Sequence, residues 1–217
     1  MALLIKNGRI ITSTDDYVAD LYVENETITA IGSELEVAGE AEVIDATGKY
    51  VFPGFIDPHV HIYLPFMGTF TKDNYETASK AALVGGTTTL IEMICPSHED
   101  QPLDAFELWA SKAVGLAAVD YSFHMGVTRF DRNTAKQLLE IVDRGIESFK
   151  VFLAYLGALG IDDLGLYRTL KLAREWGVIV TAHCENAVAV AERQQEFLDA
   201  GKTGPEYHEP SRGELVE

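Results

Sequence analysis

Two histidines separated by one residue are the feature of this sequence best suited to metal chemistry. His59 and His61 lie in GFIDPHVHIY, a short β-prone run that begins at Gly54. Side chains at positions i and i+2 of a strand leave the same face, so both imidazoles can reach one metal ion. A single strand histidine is more often a packing residue, but a pair at this spacing favours a metal site.

A lysine inside an apolar run is the second unusual feature. Lys150 interrupts ESFKVFLAY, and a buried ammonium must either be paired or lose its proton. In one interpretation the neutral amine captures carbon dioxide and becomes a carbamate anion able to bridge two metals. In the other it forms an ion pair with an acidic neighbour such as Glu92, and the residues alone leave both interpretations open.

The remaining histidines have different expected roles. His183 ends the β-prone run VIVTAHC, and together with the first pair it would bring three nitrogen ligands to one end of the fold. His124, in DYSFHMGV, is expected to form hydrogen bonds within the fold. His98 and His208 lie in polar, loop-like stretches and are expected to be solvated.

Strand and helix patterns alternate after Gly54, which predicts right-handed βαβ units around a parallel sheet. The predicted strands are FIDPHVH, TTTLIEMI, VDYSFHMGV, ESFKVFLAY and VIVTAHC. The predicted helices are 74–84, 103–115, 133–143, 162–176 and 186–200. Asn133 and Asp162 are the expected N-caps, and Gly177 and Gly201 the expected stops.

The residues suited to chemistry fall near the carboxyl ends of five successive predicted strands. They are His59, Glu92, His124, Lys150 and His183. A TIM barrel keeps its chemistry at this end, but a complete barrel has eight units and about 250 residues. Residues 53–217 are therefore predicted to be an α/β fold with the first five units of a TIM-type (β/α)8 barrel. An open, doubly wound sheet of five strands is the alternative.

The first 52 residues have a different pattern of predicted secondary structure. Short β-rich runs alternate there with turn pairs such as Asn7-Gly8 and Asn25-Glu26. Residues 1–52 are predicted to form a small antiparallel β unit, the N-terminal portion of a β-sandwich.

Composition excludes several classes of function. The chain has 217 residues, 47% of them hydrophobic, and a formal net charge of −17, which argues against binding to nucleic acid or to anionic membranes. It has no apolar run near the roughly 20 residues of a spanning helix and no signal-peptide core. Cys95 and Cys184 form no motif, which fits a cytoplasmic protein.

Four motifs, in order along the chain, resemble the cyclic amidohydrolases of the hydantoinase and dihydropyrimidinase family, in the amidohydrolase superfamily. They are GFIDPHVHIYLPFMGTFTKDNYETASKAALVGGTTTLIEM, DYSFHMGVTRFD, ESFKVFLAY and TAHCEN. Dihydroorotases are expected to have an arginine where this chain has Tyr63, and allantoinases resemble HxHxNEPG at the same place. HVHIYLPFMGT and GPEYHEPSRGELVE are closer to the dihydropyrimidinase pattern.

The resemblance implies a role for each matching residue. His59 and His61 would bind one divalent metal, expected to be zinc, and His183 would bind a second. Lys150 would be carbamylated to N6-carboxylysine and bridge both metals. Tyr155 would donate a hydrogen bond to the substrate carbonyl oxygen as the oxyanion develops, although structurally it could equally cap the barrel rim.

The implied reaction is hydrolysis of hydantoins or dihydropyrimidines to N-carbamoyl amino acids by a hydroxide that bridges the two metals. Loops 62–72, with Phe66, and 152–159, with Phe152, would contact the substituent of the substrate ring. Their apolar side chains might equally pack on another subunit, and the resemblance implies a homotetramer.

The sequence also departs from the family pattern. The family supplies a further metal-binding histidine from a sixth strand and an aspartate from an eighth, but this sequence stops at Glu217 after the fifth unit. The chain is therefore expected to be a fragment that is inactive alone. The alternatives are an allantoinase-like enzyme and a non-catalytic homologue, similar to the collapsin response mediators, that acts by protein association. The retained candidate ligands weigh against the second of these.

Overall fold

One mixed sheet forms the first unit of the chain, Met1–Phe55. The computed structural model describes residues 2–37, 39–66 and 68–216. Strand β2 pairs antiparallel with β1 and β3, whereas β4 and β5 run parallel to β1. The strands are β1 (Ala2–Ile11), β2 (Asp16–Glu24), β3 (Thr27–Gly32), β4 (Glu42–Asp45) and β5 (Tyr50–Val51).

The parallel pairing corrects the prediction of an antiparallel unit. The sheet order is β3-β2-β1-β4, so the chain crosses from one edge to the other between Gly32 and Glu42. This crossover brings β4 alongside β1 in the same direction. Alternation of apolar and polar residues reports which face of a strand is buried and carries no information about the direction of its neighbour.

Only one of the two predicted turn pairs connects two strands. Asn25 and Glu26 have φ values of 49° and 65° and join β2 to β3, as in a two-residue hairpin turn. Asn7, with φ 61°, lies inside β1, where the register with β2 shifts between Ile5 and Gly8. The prediction of a turn at Asn7 is therefore wrong, because the left-handed residue accommodates a bulge within one strand.

Strands and helices alternate in the second unit, Ile56–Glu217. Strand β6 (Phe55–Val60) is followed by the hairpin of β7 (Pro65–Phe66) and β8 (Thr69–Phe70). The later elements are α1 (Tyr75–Val84), β9 (Thr87–Ile94), α2 (Pro102–Ala113), β10 (Asp120–Gly126), α3 (Arg132–Asp143), β11 (Ser148–Phe152), α4 (Asp163–Trp176), β12 (Ile179–His183) and α5 (Ala187–Asp199). Short 3-10 turns follow at Pro205–Tyr207, Pro210–Arg212 and Glu214–Val216.

The order of the five main strands decides between the two predicted folds. Strands β9 to β12 pair in parallel, and the full order is β12-β11-β10-β9-β6. Each strand lies beside the next one in the chain, as in a TIM barrel, whereas a doubly wound sheet reverses its order at a switch point. The predicted α/β fold with five barrel-type units is confirmed.

Three of the four predicted helix signals lie where expected. The side chain of Asp162 accepts a hydrogen bond from the first turn of α4, Gly177 ends α4 with φ 72°, and Gly201 follows α5 with φ 70°. Asn74 and Asn186, which begin the predicted helices 74–84 and 186–200, cap α1 and α5 in the same way as Asp162. Helix α3 differs, because Asp131 is its N-cap and accepts from the amides of Asn133 and Thr134. The predicted cap at Asn133 is therefore wrong by two residues.

The core of the second unit lies between the sheet and its helices. Its most deeply buried side chains include Ile94, Met125, Leu138, Ile141 and Phe149, all fully buried. Burying one such side chain contributes about 1.5–3 kcal/mol, which makes these strands a rigid support for their carboxyl ends. Within residues 2–37, 39–66 and 68–216, every helix is too short or too polar to cross a bilayer.

Candidate active site

Five parallel strands present polar side chains at one end of the sheet. His59, Glu92, His124, Lys150 and His183 each lie within the last three residues of β6, β9, β10, β11 and β12. The register places Lys150 opposite Gly126 and places His183 opposite Phe152. The strand ends predicted from the sequence therefore do converge.

The rings of His59 and His61 lie on one face, with centroids 5.4 Å apart. Among the described residues, neither imidazole has a hydrogen-bond partner. Burial, followed by the nearby charge of Lys150, lowers the pKa of His59, and burial together with His59 lowers the pKa of His61. Both rings therefore favour the neutral form, which is the form that binds metals.

Glu92 holds the turn that follows this pair. Its Oε1 atom accepts hydrogen bonds from the amides of Ile62 at 3.0 Å and Tyr63 at 2.6 Å. The side chain is 1% exposed, and Oε2 has no partner among the described residues. Burial raises the pKa of Glu92 to about 7, although the two amide hydrogen bonds act to lower it. No ion pair joins Glu92 to Lys150 in the described part of the chain, so the pairing alternative for Lys150 is not observed.

Lys150 is a buried amine without a counterion among the described residues. It is 2% exposed, and its Nζ atom lies 5.1 Å from the centre of the Phe152 ring. Burial lowers the pKa of Lys150, while the nearby thiols of Cys95 and Cys184 act in the opposite direction. The surroundings of this amine therefore favour its neutral, nucleophilic form.

The other histidines are satisfied or solvated. His124 donates from Nε2 to the carbonyl of Pro58 at 2.8 Å and accepts at Nδ1 from the Ser148 hydroxyl at 2.5 Å, as expected. His98 is half-buried and donates to the carbonyl of Gly160 at 2.9 Å, so the prediction that it is solvated is wrong. His208 is exposed, as predicted.

His183 has two partners in its surroundings that the sequence did not reveal. Its Nε2 atom donates to Oε2 of Glu185 at 2.6 Å, and Nη1 of Arg212 donates to the same oxygen. Burial acts to raise the pKa of Glu185, but the hydrogen bonds from Arg212 and His183 leave it lowered. Only Glu185 left a sequence signal, a carboxylate two positions after a candidate ligand. Arg212 is 27 positions from Glu185 and left none.

Tyr155 lies in a tight loop after β11. Its φ is 58°, a left-handed conformation that is uncommon for residues other than glycine. The loop is closed by hydrogen bonds to the Tyr155 carbonyl from the amides of Ala158, Leu159 and Gly160. Its ring lies 5.3 Å from that of His183 and 5.2 Å from that of Phe66. A conformation held against its intrinsic preference is typical of functional loops.

A cavity of about 140 Å³ joins these groups. It is lined by His61, Leu64, Phe66, Cys95, Phe152, Tyr155, Leu159 and His183. Typical ligand pockets have roughly 300–1,000 Å³, so this one suits a small ring. Both predicted substrate loops contribute to it, whereas Cys95 was not predicted. Burial raises the pKa of Cys95 to about 12, so its thiol is a neutral wall of the cavity.

Among the described residues, the candidate metal ligands do not form one compact cluster. Within the described ranges, no group of three histidine, cysteine, aspartate or glutamate side chains could hold a metal ion. The nitrogen donors are divided between His59 at the end of β6 with His61 just after it, and His183 at the end of β12. Lys150 lies on β11, between these two strands in the sheet order. Neutral imidazoles are suitable zinc ligands, and a lysine carbamate would be another. The three histidines and Lys150 are therefore residues of the kind that could hold zinc.

Comparison with known proteins identifies the family. Residues 50–211 match the family model described as the amidohydrolase family. The chain belongs to the amidohydrolase family. It is 46% identical over 214 residues to a D-hydantoinase of Geobacillus stearothermophilus, and the match covers 98% of the chain and 45% of that protein. It is 38% identical over 216 residues to dihydropyrimidinase-related protein 5 of Homo sapiens, covering 99% of the chain and 38% of that protein.

A solved structure of a D-hydantoinase (dihydropyrimidinase) from Thermus sp. gives the same result. It is 64% identical to the present chain, with a TM-score of 0.92, and the match covers 99% of the present chain and 47% of the Thermus chain. The resemblance to hydantoinases and dihydropyrimidinases is therefore confirmed. The chain spans about half the length, or less, of the relatives it matches.

Proposed function

We propose that the protein containing this chain hydrolyses the ring amide of hydantoins or dihydropyrimidines to N-carbamoyl amino acids. The observation that carries the proposal is the buried Lys150 amine without a counterion among the described residues, at the sheet end that also presents His59, His61 and His183. The names of the relatives support the choice of substrate, since a D-hydantoinase is 46% identical over 98% of the chain. The proposal concerns the whole protein, because the chain covers 45% of that relative.

Two divalent metals, which we propose to be zinc, would be held by His59 and His61, by His183, and by Lys150 as the shared ligand. Bound zinc lowers the pKa of water to about 7 and polarises a carbonyl. The neutral Lys150 amine would bond through nitrogen to the carbon of carbon dioxide and release one proton. This step converts a buried neutral amine into an anion with two oxygen donors, and the charge of the two metals would balance that anion.

Tyr155 would donate its hydroxyl proton in a hydrogen bond to the substrate carbonyl oxygen as negative charge develops there. Its place in the cavity wall, 5.3 Å from the His183 ring, supports this role. Phe66 and Phe152 line the same cavity and would contact the ring substituent through apolar surface.

Ring opening by the zinc-loaded whole protein tests the proposal. Dihydrouracil, hydantoin and allantoin are supplied in parallel, and the N-carbamoyl product is measured. We expect turnover of the first two, whereas turnover of allantoin alone would indicate an allantoinase-like enzyme. Absence of bound metal together with an unmodified Lys150 in the mass spectrum would reject the enzyme.

A role in protein association is the second candidate. The similarity to a protein named dihydropyrimidinase-related protein 5, 38% identity over 99% of the chain, keeps this candidate open, because that name states a relation to dihydropyrimidinases and no activity. The retained nitrogen donors around Lys150 weigh against it. Homotetrameric assembly and a cytoplasmic location stay predictions, which light scattering and cell fractionation can test.

A further inference from the structure

A chain of contacts joins His183 to Tyr155 through Glu185 and Arg212, whose side chains are largely buried. His183 Nε2 and Arg212 Nη1 both donate to Oε2 of Glu185. The Arg212 guanidinium carbon also lies 5.6 Å from the centre of the Tyr155 ring. Arg212 therefore contacts two residues of the site. One is Glu185, the hydrogen-bond partner of the proposed metal ligand His183, and the other is Tyr155, the proposed oxyanion donor.

Burying the Arg212–Glu185 ion pair costs desolvation free energy. The side chains of Arg212 and Glu185 are 16% and 10% exposed, and Nε of Arg212 is buried without a partner among the described residues. Buried ion pairs contribute little net stability, because desolvation offsets much of the attraction. An apolar pair of similar volume would fill the same space, so stability alone does not account for these charges.

The charges of Arg212 and Glu185 are not needed to anchor the 3-10 turn Pro210–Arg212 either. The 3-10 turn that carries Arg212 is already held by Arg193 of α5, which donates from Nη2 to the carbonyl of Pro210 at 2.6 Å. Arg193 contacts neither His183 nor Tyr155 in the hydrogen bonds and ring contacts of the described residues. It provides a matched control for the loss of one arginine contact at the same turn.

We propose that Glu185 and Arg212 are positioning residues for the active site, one setting the His183 tautomer and the other coupling that histidine to Tyr155. This inference rests on the proposed function. Because Glu185 accepts the Nε2 proton, the neutral His183 ring carries its lone pair on Nδ1, which has no partner among the described residues and is free for a metal.

Arg212 contacts His183 only through Glu185. Its donation to Glu185 keeps the carboxylate oriented toward His183. Its position over the Tyr155 ring favours one placement of that ring, since a guanidinium is attracted to an aromatic face. Loss of Arg212 should therefore affect metal binding and carbonyl recognition together, whereas loss of the Glu185 charge should affect chiefly the metal.

Zn²⁺ titration against a chromophoric chelator tests the inference in the intact protein. The variants are Glu185→Gln, Arg212→Met, the double variant and the control Arg193→Met. We expect the Zn²⁺ site that includes His183 to lose about 10–100-fold in affinity in Glu185→Gln and Arg212→Met. The double variant should lose no more than the worse single variant, because the two residues act through one contact. Arg193→Met should keep wild-type Zn²⁺ affinity even if its melting temperature falls.

Hydantoin kinetics add a second readout. Arg212→Met should lose more in kcat than Glu185→Gln, and Arg212→Lys, which retains the charge without the planar fork, should recover part of that loss. If Arg212→Met does not fold, Arg212→Lys replaces it in both assays. Wild-type Zn²⁺ affinity in Glu185→Gln and in the folded Arg212 variant would overturn the inference and leave the proposed function intact. A wild-type protein that binds no Zn²⁺ would instead overturn the proposed function, and this inference with it.

Discussion

The Nζ atom of Lys150 lies 5.1 Å from the centre of the Phe152 ring, two positions along the same strand. A cation over an aromatic face gains about 2 kcal/mol when it is desolvated. Removing an ammonium from water costs several kcal/mol, so the ring alone cannot hold the charge. Because desolvation costs more than the ring returns, a neutral or carbamylated lysine is expected at this position.

Lys150→Ala should abolish metal retention and hydantoin hydrolysis. Removing groups that merely orient a metal ligand costs about 10–100-fold, so loss of a shared ligand should exceed about 100-fold in kcat/KM. Metal content by elemental analysis and product formation measure the effect. Intact-protein mass spectrometry should show one added carbon dioxide in the wild type and none in the variant. Lys171→Ala, at an exposed position of α4, is the control and should behave as wild type.

Tyr155→Phe should lower kcat and leave KM nearly unchanged. Removing one donor to a developing oxyanion costs about 10²–10³ in kcat, and the phenyl ring preserves the cavity wall. Steady-state kinetics with hydantoin measure both constants. Tyr167→Phe removes a hydroxyl from a side chain that is 65% exposed and should change neither. A Tyr155→Phe enzyme with wild-type kcat would contradict the assignment of Tyr155.

Glu92 should make the metal-free protein less stable as the pH rises from about 4.5 to about 7. Its pKa is raised from 4.5 to about 7 by burial, so the folded state binds more protons than the unfolded state in this window. The full cost of ionising the buried acid, about 3 kcal/mol, applies above pH 7.

Glu92→Gln should remove this dependence, because an amide oxygen can still accept from the turn without titrating. Urea denaturation of both proteins at pH 5 and pH 8, with a chelator present, gives the difference in unfolding free energy. The variant should gain relative to the wild type at pH 8. An equal difference at the two pH values would show that Glu92 is not the titrating group.

Asp131→Ala should destabilise the protein by about 1 kcal/mol through loss of the α3 N-cap. Asp131 accepts from the amides of Asn133 and Thr134 at 2.7 and 2.8 Å. Asn133→Ala is the matched control and should cost less, because the Asn133 side chain donates to Gln101 in an exposed contact. Thermal unfolding of both variants measures the difference, and a larger loss for Asn133→Ala would contradict the cap assignment.

Local patterns predicted those parts of the molecule whose geometry is set within a few residues. The i, i+2 spacing of His59 and His61, the cap at Asp162 and the stop at Gly177 are examples. The cap of α3 failed because Asp131 and Asn133 are equally good capping residues, and only the backbone conformation selects between them.

Contacts between distant residues could not be predicted in this way. The parallel pairing of β1 with β4 depends on a crossover, and the meeting of Glu185 with Arg212 depends on the return of the chain after α5. Neither leaves a period or a motif in the sequence. The fold class and the candidate ligands were therefore accessible, whereas the residues that orient those ligands were not.

The hydrogen bonds from Ile62 and Tyr63 to Glu92 determine how this site could be transplanted into another protein. The loop after His61 is shaped by a side chain that comes 30 positions later in the chain. Grafting the segment from His59 to Tyr63 onto another barrel would transfer the histidines without the acceptor that holds their turn. A graft that also transplants the glutamate of the neighbouring strand should keep the loop in place, and libraries that vary this loop should leave that glutamate untouched.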